Sequence, residues 1–254
     1  MGRGLLLAIA FLTRIPVRLP PDLDARDQGT AIAAYPVVGL GLGSVLALLG
    51  AAATWLGLPP LPAAVIIVAL LAAVTGALHL DGLADTADAW LGGHGDRERT
   101  LAIMKDPTCG PAGVVVVVLV LLAKVAAVSA LLEVPHGWAG LLAAPLLART
   151  ACALLFPTLA YVRPGGLGEP GAHHLARRSL AVTAAGSGIL TLAVGGLAGV
   201  VLLITAAAVF ALAVRLMRRI LGGFTGDTAG ALLEVVEAAV LLGAATWMGS
   251  AVGS

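Results

Sequence analysis

Residues 112–133 read AGVVVVVLVLLAKVAAVSALLE, twenty-two positions with a single charge before the closing glutamate. A helix of that length crosses the hydrocarbon core of a bilayer. The composition extends the reading, because 59% of the 254 residues are hydrophobic and only 11% charged, far outside the range of a soluble domain. Comparable apolar runs fall at 35–56, 62–80, 137–160, 179–195, 199–217 and 228–249. The expected fold is therefore all-α, a polytopic integral membrane helical bundle of about seven transmembrane helices forming one domain over 1–254. The fifth and sixth runs come from one apolar stretch, divided at Gly195, Gly196 and Gly199 because the whole is too long for a single span. Six spans with one long tilted helix is the alternative.

Basic residues in short loops set orientation and so test the count. Arg3, Arg14, Arg18 and Arg26 precede the first span, and Arg97, Arg99 and Lys105 follow the second. Arg163, Arg177 and Arg178 follow the fourth, while Arg215, Arg218 and Arg219 end or follow the sixth. With seven spans, all of these lie on one side and the opposite loops carry none. Six spans would put the last two clusters on opposite faces. The pattern predicts an amino terminus on the cytoplasmic side and a carboxyl terminus outside.

Other bounds are brief. The run Leu5 to Leu12 is too short to span and lacks a convincing cleavage site, which suggests an interfacial segment rather than a removable signal. Cys109 and Cys152 have no ligand-like spacing, so neither a disulfide nor a zinc site is expected. The formal net charge of +1 gives no nucleic-acid footprint. The lipid bilayer is the expected macroscopic partner, and the sequence is compatible with a homo-oligomer without specifying one. No strong internal repeat is visible, which argues weakly against a transporter built from duplicated halves.

Chemistry gathers at HLDGLADTADAW, residues 79–90. On a helix at 100° per residue, Asp85 and Asp88 fall about 40° and 20° either side of Asp81, so three carboxylates share one face. Like charges so placed repel one another, which calls for a divalent cation or a phosphate bridged by one. A solvated acidic helix end is the simpler alternative. Gly82 and Ala84 between the acids allow a neighbouring helix or ligand to come close. The segment follows span two and is expected to emerge at the cytoplasmic face.

A second constellation, GGFTGDTAGALLEVVE at 222–237, opens span seven from the same face. Asp227 and Glu234 lie about 20° apart around a helix, with Glu237 about 60° further. Asp81, Asp85, Asp88, Asp227 and Glu234 are thus the candidate metal ligands, a hard oxygen set suited to Mg²⁺ with positions left for substrate phosphate. Two such ions can clamp the attacking and leaving oxygens of a phosphoryl transfer. Asp81, Asp85 and Asp88 are the catalytic candidates. Asp88, at the open end of its row, is the candidate base.

Between the acids, RERTLAIMKDPTCGPAG at 97–113 offers Arg99 and Lys105 as phosphate contacts, and Arg163 before PGGLG offers another. Ordinary inside-loop charge explains any single one of them equally well. Lys124 and Arg149 lie about twelve residues inside their spans, near the bilayer centre, where charge is costly and is functional or paired. They are candidate substrate contacts, or else partners of Glu234 and Glu237. His79 can orient an aspartate or act as a base. His94, His136, His173 and His174 read as surface residues.

These residues fall in segments that resemble the cobalamin synthases, also called adenosylcobinamide-GDP ribazoletransferases. The likeness runs through FLTRIPV at 11–17, YPVVGLGLG at 35–43, HLDGLADTADAW, IMKDPTCG at 103–110, GGLG at 165–168 and GGFTGDTAGALLE at 222–234. It implies an enzyme that joins adenosylcobinamide-GDP to α-ribazole or α-ribazole 5′-phosphate and releases GMP, with Mg²⁺ required. Pro107 and Thr108 depart from the Ser and Arg usual there, which removes one candidate phosphate ligand. A CDP-alcohol phosphotransferase is the nearest rival, but its motif has arginine after the alanine, where this chain has Asp85. A prenyltransferase would need a better second aspartate-rich motif than GGFTGDTAGALLE. An ion transporter would spread its acids through the membrane depth.

Overall fold

The computed structural model describes residues 2–252 apart from Leu167. In chain order the helices are α1 (Gly2–Leu12), α2 (Ala25–Trp55), α3 (Pro60–Thr75), α4 (Leu78–Gly92), α5 (Arg97–Ile103) and α6 (Pro111–Leu132). They continue with α7 (Trp138–Thr158), α8 (Glu169–His173), α9 (Arg177–Gly195), α10 (Leu197–Leu221) and α11 (Gly226–Val252). Six of these, α2, α6, α7, α9, α10 and α11, are each long and apolar enough to cross a bilayer, and α3 with α4, sharply bent, forms a broken seventh span or a re-entrant loop. The chain is a multi-pass helical bundle, as the apolar runs imply.

Local chemistry explains where the boundaries move from the expected spans. α2 starts well before residue 35 because Asp24 and Asp27 form a reciprocal capping box, each side chain accepting the other's backbone N–H at 2.8 and 3.2 Å. Arg3 pairs with Asp22 and Asp27 and so ties α1 to that cap. Leu7, Ala8 and Leu12 of α1 pack on Ala31, Val38 and Leu42 of α2. The split between α9 and α10 falls at Gly196, whose φ of +53° suits glycine, and Gly199 lies where a Cβ would strike the Thr191 carbonyl.

The largest departure is in the second span. Helix α3 stops at Thr75, and the chain turns through 88° before α4 carries the aspartates onward. Gly76 and Ala77 both adopt left-handed φ, +63° and +55°. For alanine that conformation costs about 1–2 kcal/mol. The FLTRIPV segment holds the turn in place: the Arg14 backbone N–H donates to the Val74 carbonyl at 2.7 Å, and the Arg14 side chain lies over Gly76, where a Cβ would collide with it.

Close helix packing rests on YPVVGLGLG. Gly39 and Gly43, four residues apart on α2, face α7, where a Cβ would meet the backbone of Pro145–Leu146 and of Leu142 respectively. This is the small-residue spacing that lets membrane helices approach backbone to backbone. Buried residues of α6, α7 and α11, among them Val128, Leu131, Leu147, Leu155, Leu233 and Val240, share one core.

One end of the bundle is laced together by direct bonds. The Arg97 Nε donates to the Leu221 carbonyl at 2.7 Å, closing the last turn of α10. The Val162 N–H donates to the Phe224 carbonyl and the Phe224 N–H to the Ala160 carbonyl, and Gly29 abuts His174. All but two of the arginines and lysines belong to segments at this end; Lys124 and Arg149 are the exceptions.

Two glycines on the same helix separate packing from composition. Gly43→Val should cost about 1–3 kcal/mol of stability by overpacking against α7. Gly41→Val, where a Cβ meets nothing within 4 Å, should leave the melting temperature of the detergent-solubilised protein nearly unchanged.

Candidate active site

Helix α4 lies in contact with α11 on one side and α6 on the other, and glycines make both approaches possible. A Cβ on Gly82 would come within 2.8 Å of the Asp227 carbonyl oxygen, and one on Gly230 within 3.3 Å of the His79 Cα. A Cβ on Gly113 would come within 2.5 Å of the Asp88 carboxylate. The two acidic motifs therefore meet, as their helical spacing suggests. Asp81 is exposed at the rim, while Asp85 is half-buried with Asp81, Asp227, Asp88 and Arg163 as its nearest charges.

The opening of α11 is built by hydrogen bonds within GGFTGDTAGALLE. Thr225 and Thr228 form a capping box: the Thr225 N–H donates to the Thr228 hydroxyl at 2.9 Å, and the Thr228 N–H donates to the Thr225 hydroxyl at 3.2 Å. Just before it, the chain pairs with residues 160–162 through the Val162 N–H to the Phe224 carbonyl and the Phe224 N–H to the Ala160 carbonyl, both 2.9 Å. That pairing delivers Arg163 to Asp227, Nη1 to Oδ2 at 2.7 Å. Asp81, Asp85 and Asp227 thus share one guanidinium among three carboxylates, an arrangement with negative charge to spare for a cation.

Below this rim a cavity of about 270 Å³ extends into the bundle. Asp81, Asp227 and Arg163 lie at its mouth, with His79, Cys152 and Gly230 deeper. Its walls include Phe11, Tyr35, Phe156, Tyr161 and Phe224. Phe224 packs edge-on against Phe156 and Tyr161, with ring centroids 5.0 and 5.3 Å away. None of these aromatic residues stands out in an apolar sequence. The available signal was scarcity, since aromatic residues make up only 4% of the chain.

Several expected site residues lie elsewhere. Glu234 does not join the aspartates; it is 4% exposed and accepts from Lys124 Nζ at 2.5 Å. Lys124 also pairs with Glu237 at 2.6 Å, and Glu237 takes Arg149 as its second partner. Lys124 and Arg149, 3% and 1% exposed, are therefore buried ion-pair partners rather than surfaces for substrate. The reason is cost, because a carboxylate at that depth must find a cation and these two are at the same level. Both Asp88 oxygens accept backbone N–H groups, from Gly110 at 2.7 Å and Gly113 at 2.9 Å. Asp88 thus caps the first turn of α6, which has no cap from its own Gly110.

Arg99 and Lys105 are exposed and do not line the cavity. Near them, Thr108 donates through its N–H and hydroxyl to Asp106 at 2.9 and 2.6 Å, holding that carboxyl below its ordinary range. Among the described residues no group of three or more His, Cys, Asp or Glu side chains converges tightly enough to hold an ion by itself. In the GGLG segment, Leu167 lies outside the described residues.

A family model described as cobalamin-5-phosphate synthase matches residues 4–245. The chain belongs to the cobalamin-5-phosphate synthase family. An adenosylcobinamide-GDP ribazoletransferase of Pseudomonas aeruginosa (strain UCBPP-PA14) is 54% identical over 242 residues, 94% of this chain and 96% of that one. The enzyme of the same name from Stutzerimonas stutzeri (strain A1501) is 52% identical over 96% of this chain and 98% of its own length. That of Alkalilimnicola ehrlichii (strain ATCC BAA-1101 / DSM 17681 / MLHE-1) is 49% identical over 95% and 94%. No solved structure matches the chain.

In this chain the segments that carry the resemblance do separate jobs around one cavity. FLTRIPV holds the bend before α4, YPVVGLGLG seats α2 on α7, HLDGLADTADAW and GGFTGDTAGALLE supply the rim carboxylates, and IMKDPTCG leads into the α6 cap made with Asp88.

The aspartates should separate by role. Asp88→Ala removes the α6 cap and should cost about 0.5–2 kcal/mol of stability in thermal unfolding. Asp81→Ala at the exposed rim should stay within about 0.5 kcal/mol of the parent. Lys124→Met leaves two buried carboxylates with one cation and should cost about 3–5 kcal/mol, read as loss of folded yield and melting temperature.

Proposed function

We propose that this chain joins adenosylcobinamide-GDP to α-ribazole, or to α-ribazole 5′-phosphate, releasing GMP, at the rim where Asp81, Asp85 and Asp227 face Arg163. Family membership supports the reaction. The observation that supports this location is the meeting of both acidic motifs and one arginine at the mouth of a cavity. The ribose hydroxyl attacks the phosphorus attached to the cobinamide aminopropanol arm. A new O–P bond forms, the anhydride bond breaks, and GMP leaves with its electron pair.

The donor set suits Mg²⁺. That ion binds through one or two carboxylates together with phosphate oxygens and water rather than in an all-protein cage, and three rim carboxylates with one guanidinium leave room for such sharing. Held by Asp85 and Asp227, it would neutralise charge on the pyrophosphate and polarise the phosphorus. Arg163, fixed by the Val162–Phe224 pairing and its bond to Asp227, presents its guanidinium to a phosphate oxygen. Asp81, exposed at the mouth, takes the proton from the attacking hydroxyl in place of Asp88, whose oxygens are occupied.

The basic end of the bundle, where this rim lies, faces the bacterial cytoplasm by the positive-inside rule, in the inner membrane. Nucleotide-bearing substrates would then reach the site without crossing the bilayer.

Purified protein in liposomes, given adenosylcobinamide-GDP, α-ribazole and Mg²⁺, should release GMP, and chelation with EDTA should stop it until Mg²⁺ is restored. Absence of GMP from folded protein would remove the assignment. Asp85→Asn should lower kcat by about 10²-fold or more with unchanged expression. Wild-type turnover in that variant would remove the rim from the mechanism.

A further inference from the structure

The cavity beneath the rim is not explained by phosphate chemistry. Both tyrosines of the chain and three of its four phenylalanines line it, in a sequence with 4% aromatic residues. A wall needed only for packing would draw on the abundant Leu, Val and Ala instead. Deeper in, His79 is 6% exposed and its Nδ1 has no hydrogen-bond partner. A buried ring nitrogen left unpaired is costly, and a ligand atom that pairs with it offsets that cost. Aromatic walls, one unpartnered nitrogen and carboxylates at the mouth describe a slot for a flat heterocycle whose sugar reaches outward.

We propose that this cavity holds the dimethylbenzimidazole ring of α-ribazole against Tyr35 and Phe156, the latter backed by Phe224, with His79 donating to its unsubstituted ring nitrogen. The inference rests on the reaction proposed above and assigns one substrate moiety to one subsite. Seated there, the base leaves its ribose at the rim beside Asp81, where the attacking hydroxyl is needed. The other candidate is guanine, whose amide, amino and carbonyl groups each need a partner once buried. Beyond His79, the deep part of the cavity is lined by Cys152 and Gly230, which offer guanine few partners. Dimethylbenzimidazole, with two methyl groups and a single acceptor nitrogen, matches both the walls and the one unpartnered group. A corrin macrocycle is too large to enter.

The test uses the full chain in detergent or liposomes with initial rates of GMP release, each substrate varied in turn, and calorimetric binding of α-ribazole alone. Phe156→Ala and His79→Gln should each raise KM for α-ribazole about tenfold or more, leaving KM for adenosylcobinamide-GDP within about twofold. Both should weaken α-ribazole binding in the calorimeter, and Phe156→Tyr should restore most of it. A rise in KM for adenosylcobinamide-GDP instead, or weakened GMP binding, would place guanine in the slot and overturn the proposal. So would unchanged constants for both substrates. If His79→Gln fails to fold, Phe156→Leu carries the same comparison. Wild-type protein that binds α-ribazole yet makes no GMP would sink the reaction assignment while leaving the subsite standing.

Discussion

Two glutamates buried in the middle of a membrane helix constrain everything packed around them. Glu234 and Glu237 lie one turn apart on α11, and each is almost completely removed from solvent. Lys124 from α6 bridges both, and Arg149 from α7 takes the remaining side of Glu237. Breaking such a pair leaves an uncompensated buried charge, so sliding α11 by one turn against α6 or α7 is prohibitive. The cluster therefore sets the depth of α11, and through α11 the depth of Asp227.

From that fixed point the site assembles by close contact rather than by long side chains. Gly82 and Gly230 allow α4 to lie against α11, which brings the Asp81 and Asp85 row beside Asp227. Asp88 is spent on the first turn of α6, so the same carboxylate row both anchors α4 and leaves its other members free at the rim. The pairing of residues 160–162 with 224 adds Arg163 from a loop that has no reason of its own to approach α11. Rigid supports around a few charged groups are what electrostatic catalysis of phosphoryl transfer requires.

The buried ion cluster also bears on the transporter alternative. Lys124 and Arg149 are closed off by their carboxylate partners at 1–3% exposure. Charge inside the membrane here acts as a register pin. The acids that face outward collect at one end, beside the basic segments, apart from Glu133 at the far end of α6.

The spans, the glycine break before α10 and the meeting of HLDGLADTADAW with GGFTGDTAGALLE were legible from the sequence alone. They depend on hydrophobic length and on the 3.6-residue repeat, which are local properties of the chain. The turn at Gly76–Ala77 was not, because alanine carries no mark of left-handed backbone and the strap that holds it, Arg14, is distant in sequence. Nor could spacing separate Asp88 from Asp85, or Glu234 from Asp227. Those assignments depend on which backbone N–H or which ammonium lies opposite, and that is decided only when α6, α7 and α11 pack. The aromatic cavity has the same origin: Phe11, Tyr35, Phe156 and Phe224 come from four separate segments and share nothing until the helices converge. The sequence determined which chemistry the chain could support, through residue type and period. Tertiary structure decided which of those residues are free to perform it, because a buried charge or cap is committed to its partner before any substrate arrives.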